Sequence, residues 1–84
     1  MKTERFPCPC CGCLTFPVPA ADAIAYICPV CMWENDLFTV SADDPSDENH
    51  GLTLNQGRAN HRTLGVCYPR LAPYARKPFP EELP

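Results

Sequence analysis

Two short cysteine segments carry the clearest chemical signal in this chain. They read CPCCG at residues 8–12 and CPVC at residues 28–31, so each contains a C-P-x-C pattern. Thiolates at the two ends of such a turn can bind one metal ion, because the intervening backbone curls around the metal and directs its N–H groups toward sulfur. Two turns supply the four sulfurs of a tetrahedral shell. The sequence therefore predicts a zinc site formed by Cys8, Cys11, Cys28 and Cys31.

The first segment offers a choice of ligand pairs, because Cys10 and Cys13 have the same spacing as Cys8 and Cys11. A proline follows Cys8 and a glycine follows Cys11. The proline pre-sets the turn, and the glycine permits the positive φ that brings backbone N–H groups to sulfur. The competing pair lacks the proline and is followed by a leucine. The sequence therefore favours Cys8 and Cys11.

Three cysteines remain outside this ligand set, namely Cys10, Cys13 and Cys67. The simplest interpretation is that each fills a small apolar space, since free cysteine is among the most buried residue types. Two alternatives stay open. The three could join His61 in a second metal site, although the spacing of His61 and Cys67 does not match a known metal-binding turn. Cys10, beside a metal-bound thiolate, could also have a redox role, in which its thiol is oxidised or undergoes thiol exchange.

Length and cysteine content together indicate a metal-stabilised domain. The chain has 84 residues and seven cysteines. A domain of this size commonly needs a bound metal or disulfides to stabilise it in addition to its apolar core. Residues 1–7 lead into the cysteines without the pattern of a signal peptide, and no apolar run approaches the roughly 20 residues of a membrane span. We therefore expect a cytoplasmic protein with no membrane contact, in which thiols stay reduced and bind metal.

A hairpin is expected to bring the two cysteine segments together. Apolar residues alternate over residues 14–18 and again over residues 24–28, which predicts two short antiparallel strands with the turn between them. Prolines at positions 17 and 19 place the first strand at an edge. Trp33, Leu37, Phe38 and Val40 are predicted to form a third strand that lines the core.

The remaining elements complete a small α+β domain over residues 1–84. After the zinc ribbon of residues 6–40, the polar stretch 41–52 is predicted to be an acidic loop in which His50 is solvated. Thr53 and Gln56 fit a capping box and Gly65 a stop, which predicts a helix over 53–65. Its narrow apolar face, formed by Leu54, His61 and Leu64, must dock on the ribbon. Residues 66–84 are predicted to be an extended Pro-rich tail.

Charge is divided unevenly along the chain, whose net charge is −3. Residues 6–57 contain no Lys or Arg and carry seven acids: Asp22, Glu34, Asp36, Asp43, Asp44, Asp47 and Glu48. The basic residues that follow are Arg58, Arg62, Arg70, Arg76 and Lys77. We expect the two halves to fold onto each other, with Arg58 and Arg62 near acidic side chains. Any partner of the acidic half is expected to be a basic protein surface and not nucleic acid.

Motifs along nearly the whole chain resemble one small family. The two cysteine segments are similar to a zinc ribbon or to the knuckles of rubredoxin. The strings CPCCG, YICPVCMWEND, LTLNQGRAN and KPFPEELP, in this order, resemble the small bacterial family of cysteine-rich CPCC proteins. The resemblance implies a compact metal-binding domain without an assigned reaction. Asn55, Gln56 and Gly57 depart from the more charged, stronger helix formers of that pattern.

These observations predict a non-catalytic interaction or adaptor module with structural zinc, because four protein sulfurs leave no open coordination position. One particular form is an immunity- or antitoxin-like protein whose acidic half covers a basic, nucleic-acid-degrading toxin. Two alternatives belong to other classes. A nucleic-acid-binding zinc ribbon would use the basic stretch 58–77 with Tyr68 and Tyr74 as stacking groups. A rubredoxin-like electron carrier would hold iron in the same four-sulfur shell.

Overall fold

The computed structural model describes residues 4–84. Met1–Thr3, the first part of the segment in which no signal peptide is predicted, lie outside the described residues. Strands β1 (Phe6–Pro7) and β2 (Leu14–Phe16) precede the helix α1 (Leu54–Leu64). Within residues 4–84, four short 3₁₀ helices lie at Ala20–Asp22, Asp47–Asn49, Pro69–Tyr74 and Pro80–Glu82. No helix among residues 4–84 has the length and apolarity needed to cross a bilayer.

An antiparallel hairpin is present, but its pairing differs from the predicted one. β1 pairs with β2, with Phe6 opposite Phe16, and the two strands enclose the first cysteine segment. The predicted pairing of residues 14–18 with 24–28 is wrong; Ile27 instead forms an isolated bridge with Glu34, across the second segment. Each C-P-x-C turn reverses the chain by itself. Pairing the residues on either side of one turn closes a short loop, whereas pairing strands between the two turns would close a longer one. The entropic cost of loop closure is therefore smaller for the observed pairing.

Residues 33–40 do not form a third strand. Trp33 is buried in the core as expected, whereas Phe38 and Val40 are 92% and 96% exposed. The backbone N–H of Phe38 donates to Asp36 Oδ1 at 2.8 Å, and that of Val40 donates to Asp44 Oδ2 at 2.8 Å. Aspartate side chains thus take the place of a strand partner, since Asp readily binds nearby backbone N–H groups in turns.

The helix begins and ends where the sequence predicts. The Thr53 hydroxyl accepts from the Gln56 N–H at 3.0 Å, and the Gln56 side chain accepts from the Thr53 N–H at 2.9 Å. At the other end Gly65 adopts a φ of 77°, and its N–H donates to the His61 carbonyl. Both devices satisfy backbone groups that lack a partner inside the helix.

The face of α1 that packs on the core differs from the predicted one. Leu54 packs partly buried against the core, and His61 is half-buried, but Leu64 is exposed, so the predicted contact through Leu64 is wrong. The buried residue of the helix is Gly57. A Cβ at this position would lie 2.9 Å from the ring of Trp33. The absence of a side chain therefore lets the helix backbone approach the core, which a narrow leucine face alone would not achieve.

Polar side chains order the acidic segment of residues 41–52. Asn49 donates to the Glu34 carbonyl at 2.7 Å and accepts from the Glu34 N–H at 2.8 Å, as a paired strand would. The His50 side chain is exposed, and its ring stacks on Tyr68 with centroids 4.2 Å apart. The segment is thus not merely a loop: it contains the 3₁₀ helix Asp47–Asn49 and contacts both the residues after the second cysteine segment and the tail.

The Pro-rich tail is only partly extended, since two of its stretches form 3₁₀ helices. Its backbone runs beside the second cysteine segment. The Cys67 N–H donates to the Cys31 carbonyl at 2.8 Å, and the Arg76 N–H donates to the Pro29 carbonyl at 3.2 Å. The correction has a physical reason: proline at the start of a 3₁₀ turn has a suitable φ and no N–H to satisfy.

The basic residues do not pair with the acidic half as expected. Among residues 4–84 the ion pair is Arg76–Glu82, at 2.8 Å, which lies within the tail. Arg58 instead donates through Nε to the Pro9 carbonyl at 3.0 Å, and Arg62 is exposed. The predicted pairing of Arg58 and Arg62 with acids is therefore wrong. Arg58 satisfies a backbone carbonyl of the first cysteine segment.

Candidate metal centre

The two cysteine segments fold into turns with the same backbone hydrogen bonds. In the first turn, the Cys8 N–H donates to the Cys13 carbonyl at 2.9 Å and the Gly12 N–H donates to the Cys8 carbonyl at 2.8 Å. In the second turn, the Cys28 N–H donates to the Trp33 carbonyl at 3.0 Å and the Met32 N–H donates to the Cys28 carbonyl at 2.8 Å. Gly12 and Met32 have φ angles of 78° and 68°. The positive φ predicted after the second cysteine is thus adopted by a glycine in one turn and by a methionine in the other.

This equivalence supports the simplest interpretation of the extra cysteines. Cys10 takes the place in the first turn that Val30 takes in the second, and Cys13 takes the place of Trp33. All four are buried, and so is Cys67. Apolar residues fill the corresponding positions of the second turn, so Cys10 and Cys13 serve there as small apolar side chains.

The four sulfurs of Cys8, Cys11, Cys28 and Cys31 all lie within 4.8 Å of one another. The Sγ atoms of Cys8 and Cys31 are 3.7 Å apart, as are those of Cys11 and Cys28. A tetrahedral centre with metal–sulfur bonds of about 2.3 Å has sulfur–sulfur edges of about 3.8 Å. These distances far exceed the roughly 2.05 Å of a disulfide, and all seven cysteines are free. The donor set and its spacing fit a metal ion bound by four sulfurs.

In the part of the chain that the structure describes, two hydrogen bonds reach these sulfurs from neighbouring residues. The Cys10 N–H donates to Cys8 Sγ at 3.4 Å, as the knuckle geometry predicts. The Thr15 hydroxyl lies 3.2 Å from Cys28 Sγ. The alternating pattern of residues 14–18 does not predict this second contact, because Thr15 is the polar residue between Leu14 and Phe16. Thr15 is instead buried, and only a hydroxyl close behind the first turn could have suggested its role.

The electrostatics of the cluster favour a negative charge on one sulfur. Hydrogen bonds from Cys11, Cys31 and Cys8 lower the pKa of Cys28, whereas hydrogen bonding with Cys28 raises the pKa of Cys11. Without a metal, the geometry thus favours a thiolate at Cys28 that accepts hydrogen bonds from the neighbouring thiols. A cation that binds all four sulfurs must displace the protons of those thiols, so its affinity rises with pH. Burial raises the pKa of Cys67 to about 12.

The second metal site considered from the sequence is not formed. Across the described part of the chain, no other group of three or more His, Cys, Asp or Glu has donor atoms close enough to share an ion. Cys10 Sγ lies 3.4 Å from the Cβ position of Gly57, so its sulfur packs beneath α1. The hypothesis of a second site formed by Cys10, Cys13, His61 and Cys67 is therefore wrong, because the Cys10 sulfur lies in the contact between the first turn and the helix.

Hairpin, helix and opposed cysteine turns define a small α+β domain whose four clustered sulfurs could bind a metal ion. The family model described as Cysteine-rich CPCC matches residues 6–82, and the chain belongs to this family. The resemblance drawn from the four sequence motifs is thereby confirmed. Neither the search of curated proteins nor the search of solved structures found a match.

Proposed function

We propose that this protein is a non-catalytic interaction module whose fold is stabilised by one structural zinc ion. The ligands are Cys8, Cys11, Cys28 and Cys31. One observation carries the proposal: these four sulfurs lie at the spacing of a tetrahedral shell, with two edges of 3.7 Å. A shell of four protein sulfurs leaves no position for water or substrate, which is typical of structural zinc and not of catalytic zinc.

The composition of the core supports a structural role for the ion. Five of the seven cysteines have less than 6% of their surface exposed, and they make up much of the core beside Phe16, Val30 and Trp33. Structural zinc contributes about 10–16 kcal/mol in small metal-binding peptides, as much as the roughly 5–15 kcal/mol by which whole domains are stable. The ion would thus supply what so small an apolar core lacks.

Metal analysis of the protein, purified without added metal, tests this proposal. We expect one zinc per chain and no visible absorption; a red, reducible protein would instead identify iron and an electron carrier. Cys28→Ser should lose both the metal and the tertiary fold. The matched control is Cys10→Ala together with Cys13→Ala, which should keep the zinc. Loss of zinc in that control, with retention in Cys8→Ser, would overturn the ligand assignment.

We propose that the partner is a protein with a basic surface and that the two proteins bind each other in a bacterial cytoplasm. Seven carboxylates and no Lys or Arg lie in residues 6–57, and a four-thiolate centre adds further negative charge. Such a field attracts basic surfaces and repels phosphate. The more particular role of an immunity- or antitoxin-like protein stays a prediction, because only charge and size bear on it.

Several contacts weigh against the nucleic-acid alternative. Arg58 is engaged by the Pro9 carbonyl, Arg76 by Glu82, and the Tyr68 ring by His50. Phosphate binding relies on several accessible cations, and its affinity falls steeply with salt. We expect no binding to single- or double-stranded DNA or RNA in gel-shift assays at low salt. Tight, salt-sensitive binding there would overturn this part of the proposal.

A further inference from the structure

An apolar groove lies on the acidic half of the molecule, away from the cysteine sulfurs. Its volume is about 370 Å³. Its apolar walls are Ile24, Leu37 and Phe38, and its acidic rim is Glu34, Asp36 and Glu48. Ile24 and Phe38 are 80% and 92% exposed. Large side chains gathered around one hollow on so small a domain mark a contact surface, whereas a single exposed leucine would not.

The wall of this groove is held in place by hydrogen bonds. Asp36 Oδ1 accepts from the Phe38 N–H at 2.8 Å, and Asp36 Oδ2 accepts from the Ser46 hydroxyl at 2.6 Å. The Asn49 side chain fixes the backbone of Glu34 at the rim. Phe38 is thus displayed by an ordered backbone. A surface that is ordered before binding loses less entropy when a partner docks.

The charge of the rim indicates what kind of partner fits. Within the described residues, neither Glu34 nor Glu48 forms an ion pair. Burial and the neighbouring Glu48 raise the pKa of Glu34, so these two carboxylates repel each other. A cation placed between them would relieve that repulsion. An anionic bilayer would meet the same negative field and is disfavoured.

We propose that this groove binds a segment of a partner protein that carries a bulky apolar side chain flanked by Lys or Arg. The apolar side chain occupies the hollow between Ile24, Leu37 and Phe38, and the cationic groups lie against Glu34 and Glu48. This assignment rests on the proposed interaction function, to which it adds the contact site and the chemistry of the bound segment.

A random dodecapeptide library panned against the zinc-loaded protein supplies the probe. We expect the enriched peptides to combine Leu, Ile, Phe or Trp with Lys or Arg. In fluorescence anisotropy, Phe38→Ser should weaken these peptides by about tenfold or more, the loss typical of a central contact residue. Glu34→Gln with Glu48→Gln should weaken them several-fold at low salt. Matched controls outside the groove are Tyr74→Ser, at a side chain 72% exposed, and Asp22→Asn; both should bind as the unmodified protein does.

Any of the following results would overturn the groove as the docking site. They are a library without enrichment, enriched peptides without basic residues, equal losses in Phe38→Ser and Tyr74→Ser, and self-association that Phe38→Ser abolishes. The last would make a second copy of the chain the occupant. Zinc content and the unfolding transition of every variant are measured alongside. Peptides whose affinity is unchanged by Phe38→Ser but falls on charge reversal at Asp43 and Asp44 would support the interaction function at a site other than this groove. A protein without bound zinc would contradict the proposal of a structural zinc ion and leave the docking site unaffected.

Discussion

Gly57 of the helix lies directly against the indole of Trp33, so that a Cβ at position 57 would be 2.9 Å from the ring carbons Cε3 and Cζ3. Ordinary helix propensity would make Gly57→Ala stabilising by about 1 kcal/mol. Because Trp33 is buried, its ring cannot move aside at low cost. Overpacking of a core typically costs about 1–3 kcal/mol. The steric term should therefore exceed the propensity term.

We expect Gly57→Ala to lower the free energy of unfolding of the zinc-loaded protein by about 1 kcal/mol. Chemical denaturation at a fixed free zinc concentration measures this loss. The Trp33→Phe background provides the control, because it removes the part of the indole that carries both contacted carbons. Gly57→Ala should cost less there, and an equal cost in both backgrounds would contradict the steric explanation.

Gly12→Ala should also destabilise the protein, for a different reason. Among the described residues, nothing beyond Gly12 and its two chain neighbours lies within 4 Å of the position a Cβ would take, but the φ of Gly12 is 78°. A residue with a side chain pays about 1–2 kcal/mol in this left-handed region, so we expect a loss of about 1 kcal/mol in the same denaturation experiment. Trp33→Phe should not relieve this loss. Full rescue in that background would show that sterics, and not backbone conformation, set the cost.

Thr15→Val should weaken metal binding while leaving the fold intact. The substitution keeps the shape of a buried side chain and removes the hydroxyl 3.2 Å from Cys28 Sγ. Groups that hydrogen-bond to metal ligands typically contribute about 10–100-fold in metal affinity. Loss of the Thr15 hydrogen bond also raises the pKa of Cys28, so the metal competes less well against protons for that sulfur. Chelator competition should show at least a several-fold loss and a pH midpoint of metal release shifted upward. Thr15→Ser is the matched control and should stay close to the unmodified protein.

The ion pair of the tail should respond to acid in one direction. Hydrogen bonds from Arg76, at 2.8 and 2.9 Å, lower the pKa of Glu82 below its ordinary value of 4.5. A carboxyl whose pKa is lower in the folded state stabilises that state above its unfolded pKa, and this stabilisation is lost as pH falls through the folded pKa. NMR titration of the Glu82 carboxyl should give a midpoint below 4.5, and Arg76→Gln should move it upward. Because the pair is partly exposed, Glu82→Gln should cost at most about 1 kcal/mol, and Glu81→Gln, at a residue outside the pair, should cost less.

The parts of this structure that depend on neighbouring residues in the chain were predictable. Thr53, Gln56 and Gly65 fix the ends of α1, since caps act within one turn. The proline and glycine of CPCCG distinguish Cys8 and Cys11 from Cys10 and Cys13 in sequence, and the structure places the four predicted sulfurs together.

The parts that depend on distant side chains were not predictable from the pattern. Strand alternation suggested one hairpin between the cysteine segments, whereas the Asn49 side chain donates to the Glu34 carbonyl, a contact between distant residues that no propensity encodes. Gly57 is a weak point of an isolated helix, and only the position of Trp33 shows that a side chain there would collide with the core. Exposure of Phe38 is equally invisible in an alternating apolar pattern.

The backbone bonds that join the tail to the second turn have a consequence for the order of synthesis. All four clustered cysteines leave the ribosome before Cys67 and Arg76, whose N–H groups pair with the Cys31 and Pro29 carbonyls. At about 5–20 residues per second, that interval lasts some seconds. During it the nascent chain carries its cluster thiols before these two bonds from the tail can form. Early capture of the ion would therefore protect them from oxidation before the chain is complete.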